Sequence, residues 1–445
     1  MSRTALEPAA LDEGPPERTS VGTSRWAPAA GALVWTALVL TAAVWGRSVG
    51  ATSPRLHLDT PPLAARIDPA ISVWTIPAVV LAVATMTLGP RVAKRLRWPV
   101  LLLVAAAVAV AWAVALALVR GPHELIRPLL AHTDYMAAVE EVSSPGAFLA
   151  GFTERIGTYP VHVRAHPPGM VLLLWGLGRV GLSGPGWAAA LQIAGGAAAV
   201  PAALVAARAV AGEAQARAAA PFVAVAPIAT AMATSADALF AGVGAWAVAL
   251  VVLALARPGT RAVLLAAAGG VLLGVALLLT YGGILLGAVA APVIVARRRP
   301  GPVPVAATVA VAVVLGTALF GFWWPEGLAA SVGQYEAGVS RFRPYSYFLI
   351  ANLAAFAVVL GPATAAGLAS LRHRGSWLLV GGGVLAVVLA DLSGVSKGEV
   401  ERIWLPFAPW VLLSAAALPR AHARAWLGAN AITALAMAAM LRTPW

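Results

Sequence analysis

Apolar segments long enough to cross about 30 Å of hydrocarbon recur along this chain from Trp26 to Trp445, and no polar interval between them is long enough to fold as a soluble domain. A backbone inside hydrocarbon must satisfy its own hydrogen bonds, so such a chain has to fold as a bundle of helices or a closed barrel, and runs of this length indicate helices. Composition agrees: 60% of the 445 residues are hydrophobic and only 11% are charged, against about 25% in soluble domains, and mean hydropathy is +0.84. The predicted fold class is an all-α polytopic membrane protein, with residues 26–445 forming a single transmembrane domain. The chain has no cysteine, which excludes disulfides and thiolate chemistry.

Residues 1–25 carry Pro, Ser, Thr and mixed charge with little apolar content, and they read as a disordered cytoplasmic tail rather than a signal peptide. Orientation follows from the basic residues. Arg91, Lys94, Arg95 and Arg97 share one short connection, Arg297 to Arg299 a second, Arg372 and Arg374 a third, and Arg420 and Arg424 a fourth. Placing these in the cytoplasm puts 13 of the 18 acids, and His57, His123, His132, His162 and His166, on the outer face. The net charge of +13 is then a topological signal and gives no reason to invoke nucleic acid. Alternation of faces holds only if the segment Met170 to Leu182, short and interrupted by Arg179, is a re-entrant or interfacial helix. The sequence thus predicts about 13 crossings, with amphipathic helices over Met136–Val142 and Phe148–Ile156 lying on the membrane surface.

Chemistry is expected in the large external loop, residues 120–169, which contains Asp134-Tyr135 and closes on Arg164-Ala165-His166-Pro167-Pro168-Gly169. Two consecutive prolines fix φ and donate no backbone hydrogen bond, so they give a rigid entry that aims Arg164 and His166 across a cavity. Asp134 is the candidate catalytic base, with Asp59 as its rival. Arg164, His166, Arg341, Arg343, Lys397 and Arg402 gather at the outer rim as candidate ligands of a donor phosphate, and Tyr135, Asp237 and Glu399 as supporting groups. Plainer readings stand beside these: Asp134 as a solvated acid, His166 as a turn cap, and Asp237 as a helix cap. Lys397, Glu399, Glu401 and Arg402 also read as a self-neutralising surface cluster. No metal centre or other cofactor is expected. His162 and His166 at i and i+4, with Asp134, offer a divalent metal a ligand set as an alternative, but the prolines interrupt any helix that would carry it.

These elements resemble the GT-C glycosyltransferases, integral membrane enzymes that use polyprenyl-phosphate sugars and include protein mannosyltransferases and the aminoarabinose transferase of lipid A. The resemblance covers residues 120–300 in order: the loop acid Asp134, the His-Pro-Pro element His166 to Pro168, Asp237 after the next helices, and a Gly-rich helix ending near Thr280-Tyr281. It implies that the loop acid activates the acceptor while His166 and Asp237 organise the lipid-phosphate site. Two features depart from the family: three helices precede the loop where one is usual, and Asp134-Tyr135 stands where an acidic pair is common. The segment Ser396 to Pro406 is similar to that of actinobacterial members, in particular the mycobacterial methylthioxylose transferase. The predicted function is inverting transfer of a sugar from a polyprenyl-phosphate donor to a cell-envelope glycan or glycolipid at the outer face of the cytoplasmic membrane. Its partners are donor, acceptor and membrane lipids, with no nucleic acid. The alternative is a transporter or lipid flippase, which calls for charges near the membrane midplane rather than gathered at one face. A polymerase or ligase taking a diphosphate-linked oligosaccharide shares the expected geometry.

Overall fold

A computed structural model describes residues 25–52, 56–298 and 300–445. The expected tail, residues 1–24, lies outside them, as does Arg299. The chain is mostly helical. Among the described residues seven helices are long and apolar enough to cross a membrane, from Ala27–Ala51 to Arg374–Leu392, which makes the chain a multi-pass membrane protein. Two bent pairs raise that number to nine, and three shorter apolar helices, Gly169–Arg179, Tyr281–Arg297 and Pro302–Ala318, stand beside them, against the thirteen crossings expected. The bends have local causes. Tyr345–Leu360 and Pro362–Ser370 meet at 99° where Gly361 adopts φ +83° and Pro362 begins a new helix.

Small residues set the packing. Pro185–Ala211 and Ala236–Leu255 approach so closely that a Cβ on Gly242 would lie 1.9 Å from the carbonyl oxygen of Gly195. Gly270 and Gly274 of the helix Gly259–Leu279 likewise admit Ala306 and Val313 of Pro302–Ala318. Frequent Gly and Ala are what van der Waals contact between lipid-embedded helices requires.

The segment after the His-Pro-Pro-Gly turn is an 11-residue helix, Gly169–Arg179, about 16 Å long at 1.5 Å per residue and so about half the hydrocarbon thickness. The external loop packs into a core that it shares with neighbouring helices, through residues such as Met170, Phe240 and Phe322. A 3₁₀ helix, Tyr135–Glu141, and an α-helix, Pro145–Gly151, enclose buried Phe148, Phe152 and Tyr159, with Phe152 stacked on Tyr159 at 5.3 Å. One element corrects the all-α expectation. Arg66–Ile67 pairs antiparallel with Leu441–Arg442, and Asp68 N donates to Met440 O, which clasps the 60s loop to the C-terminal helix. Two-residue strands carry no periodicity to read.

Charged connections meet at two opposite groups of contacts. Arg217 donates to Ala93 O and Leu96 O, and Arg208 lies over the Trp98 ring, joining connections expected to share the cytoplasmic face. The second group joins Arg343 to His57 O, Arg442 to Asp68 and Glu124, and Arg402 to Asp237.

Candidate functional site

The second group centres on Arg402. Beyond the helix Arg374–Leu392 the chain turns back through Gly394 and Gly398, both at positive φ, and through Glu399 at φ 61°. Asn352 holds this turn in place. Its Nδ2 donates to Asp391 Oδ1 at 2.9 Å and Ser396 O at 2.7 Å, and its Oδ1 accepts from Gly398 N at 3.0 Å. The short helix Val400–Ile403 that follows points Arg402 inward. Arg402 Nη1 donates to Asp237 Oδ2 at 2.7 Å and Nη2 to Glu399 Oε2 at 2.6 Å, while Nη2 also faces His162 Nε2 at 3.4 Å. The guanidinium lies over the Trp445 ring, 5.3 Å from its centre.

Asp237 stands in the first turn of Ala236–Leu255, where the helix dipole favours a carboxylate. It makes no capping bond, so the plainer reading of Asp237 as a helix cap gives way to an ion pair. Of the cluster Lys397, Glu399, Glu401 and Arg402, the last two are buried, at 4% and 6% exposed, and the first two half-buried. Glu401 Oε1 accepts from Ala64 N at 2.7 Å.

Asp134 is 5% exposed. Its Oδ1 caps the 3₁₀ turn by accepting from Met136 N at 3.1 Å, and its Oδ2 stands 3.7 Å from His162 Nδ1. Arginine can only donate, so His162 Nε2 must accept from Arg402, which leaves the His162 proton on Nδ1, facing Asp134. A continuous line of ionisable groups therefore runs from Asp134 through His162 and Arg402 to Asp237 and Glu399, buried at Asp134, Arg402 and Asp237 and half-buried at His162 and Glu399. Burial pushes the Glu399 carboxyl up, but the Arg402 guanidinium outweighs it and holds the group below the usual carboxylate range.

His166, a candidate phosphate ligand, is walled in by aromatic rings. Its Nδ1 donates to His162 O at 2.8 Å, and its ring packs on Tyr135 and Phe240. Burial lowers its pKa to about 4 despite the opposing pull of Asp237, so the ring is neutral near pH 7, with Nε2 a bare acceptor. Tyr135, 2% exposed, is raised well above the ordinary phenol value by burial and then by Asp237, and it stays protonated.

The remaining candidates are not gathered into this line. Arg343 donates to Lys397 O and to His57 O, the latter at 3.3 Å, and Lys397 Nζ returns a bond to Arg343 O at 3.3 Å. These two cations brace neighbouring loops. Arg341 and Asp59 are exposed, and Arg164 is half-buried with its Nε unpartnered among the described residues. The metal ligand set of His162, His166 and Asp134 does not assemble: His166 turns to a backbone carbonyl and His162 lies between Asp134 and Arg402. Among the described residues no group of three metal-ligating side chains is so arranged. Sequence reasoning considered His162 only for metal and missed Asn352 and Trp445 altogether. The four-residue spacing from His162 to His166 and the acid-rich stretch around Arg402 were the available signals.

No family profile and no curated protein matches this chain. Among solved structures it is similar to the oligosaccharyltransferase of Archaeoglobus fulgidus, crystallised with Zn and sulfate, at 16% identity and a TM-score of 0.40. The match covers 76% of this chain and 53% of that one, so the chain spans about half the length of its neighbour. At that distance the function has to be argued from the site.

Proposed function

We propose that this chain is an inverting glycosyltransferase of the GT-C type, moving a sugar from a polyprenyl-phosphate donor to a cell-envelope glycan or glycolipid at the outer face of the cytoplasmic membrane. The supporting observation is the line of ionisable groups from Asp134 to Asp237 and Glu399 through His162 and Arg402, with Asp134, Arg402 and Asp237 buried, in an otherwise apolar bundle. Ionisable groups are costly to bury and concentrate where they perform chemistry. In this reading Asp134 Oδ2 takes the proton of the acceptor hydroxyl while that oxygen attacks the anomeric carbon. The bond to the donor phosphate oxygen breaks, its electron pair leaves with the lipid phosphate, and the configuration inverts. His162 Nδ1–H orients Asp134. Arg402, already engaged by two carboxylates, acts as a positioning residue rather than a phosphate ligand.

Arg164, Arg341, Arg343 and Lys397 remain the rim cations proposed to meet the donor. His166 contributes a neutral acceptor, Tyr135 a hydroxyl donor, and Asp59 is the second-choice base. Thirteen crossings, with residues 170–182 re-entrant, return the chain to the outer face after the loop and keep the arginine-rich connections in the cytoplasm.

The test uses purified protein in nanodiscs with radiolabelled decaprenyl-phosphate sugars and envelope glycan acceptors. The parent should transfer label, and the product should carry the inverted anomer. Absence of transfer with every lipid-phosphate sugar, together with substrate flux across liposomes, would replace this reading with a transporter.

A further inference from the structure

Trp445, whose ring Arg402 covers, also lines a hollow of about 70 Å³, together with Arg120, Arg127, Arg442, Glu124 and apolar residues that include Leu116 and Leu441. A water needs about 10–15 Å³ of such space, so the hollow takes a group several times larger. Its charges are held in place. Glu124 accepts from Arg127 Nε at 2.5 Å and Arg442 Nη2 at 3.4 Å, and Arg127 Nη2 donates to Thr443 O at 2.9 Å. Asp68, set back from the lining, pairs with Arg120 Nη2 at 2.9 Å and Arg442 Nη1 at 3.6 Å. The two-residue ribbon fixes Arg442 in position.

Three guanidinium groups thus share two carboxylates, Glu124 in the lining and Asp68 behind it, and the buried Nε of Arg120 has no hydrogen-bond partner among the described residues. Arginine forks suit the oxygens of a phosphate ester, and the apolar lining suits the first carbons attached to it.

We propose that this hollow binds a phosphate monoester headgroup, that left on the lipid carrier once the sugar has been transferred, with Arg120, Arg127 and Arg442 donating to its oxygens. The assignment rests on the glycosyl-transfer reading for the identity of the carrier, and on the hollow alone for the phosphate. It puts the anion one aromatic ring away from the Arg402 cluster.

Calorimetric titration of the purified full-length protein in detergent tests it, with farnesyl phosphate, inorganic phosphate and farnesol as probes. Farnesyl phosphate should bind at least about tenfold more tightly than farnesol, the scale of one charged hydrogen bond. Arg127→Gln should weaken it by about the same factor. Ala438→Phe fills the hollow without touching an ion pair and should also weaken it. Farnesol binding as tightly as farnesyl phosphate, or unchanged binding in Ala438→Phe, overturns the site. Inorganic phosphate matching farnesyl phosphate reassigns the hollow to the free oxyanion and overturns the lipid assignment. Headgroup binding that these variants abolish, in a parent that transfers no sugar, keeps the site and removes the transferase. Full transfer by Ala438→Phe does the reverse.

Discussion

Arg402 has two carboxylate partners at nearly equal distances, yet their removal should have very different costs. Nη1 to Asp237 is 2.7 Å and Nη2 to Glu399 is 2.6 Å, so Coulomb's law alone gives about 6 kcal/mol for each at an effective dielectric constant of about 20. Exposure separates them. The Asp237 side chain is 5% exposed and that of Glu399 is 35%. Water screens the Glu399 pair to about 1 kcal/mol or less, whereas deleting Asp237 leaves a buried guanidinium without its dry partner, at about 3–5 kcal/mol. The assay is unfolding by SDS in mixed micelles, followed by tryptophan fluorescence, on Asp237→Ala, Glu399→Ala, Arg402→Met and the Asp237→Ala/Arg402→Met double variant. Asp237→Ala should be far less stable than Glu399→Ala, and the double variant should lose much less than the sum of its singles. Equal losses in the two carboxylate variants, or additivity in the double, would refute the reasoning.

Three further outcomes follow from other parts of the molecule. His166 has a folded pKa of about 4 against 6.5 for an ordinary histidine, so the unfolded chain binds the extra proton first. Stability from this group is complete above about pH 6.5, declines as pH falls toward 4 and levels off below that, a total of about 3 kcal/mol; His166→Gln should lose that slope when unfolding midpoints are compared across pH. Gly242→Ala places a Cβ 1.9 Å from Gly195 O and should destabilise the bundle by about 1–3 kcal/mol, while Gly287→Ala, with nothing within 4 Å, should change it little or stabilise it. Asn352→Leu should release the turn at Ser396 and Gly398, read as faster proteolysis in that loop.

Hydropathy made the membrane-spanning helices and the folded external loop legible, because both follow from runs and periodicities in the chain. It also put Asp134, Asp237 and Arg402 on one face. It did not pair them, since Arg402 lies 165 positions from Asp237 and 240 from His162, and neighbour relations between helices leave no mark in a single sequence. The neutral state of His166 was not legible for a related reason: its type is visible, but the aromatic walls of Tyr135 and Phe240 that dry it out come from distant segments. Sequence reasoning gave Arg127 and Arg442 no role, and Glu124 and a two-residue ribbon bring them to one hollow. The bend at Gly361-Pro362 was written in the sequence, yet counting crossings by hydropathy passes over it.

The central claim is that the Asp134 carboxylate accepts the proton of the attacking hydroxyl. The most direct measurement is the single-turnover rate of sugar transfer from saturating radiolabelled decaprenyl-phosphate donor, in the parent and in Asp134→Asn, with donor affinity measured on the same preparations. The account predicts a rate lower by about 10²- to 10⁴-fold at unchanged donor affinity. Transfer by Asp134→Asn at the parent rate would contradict it.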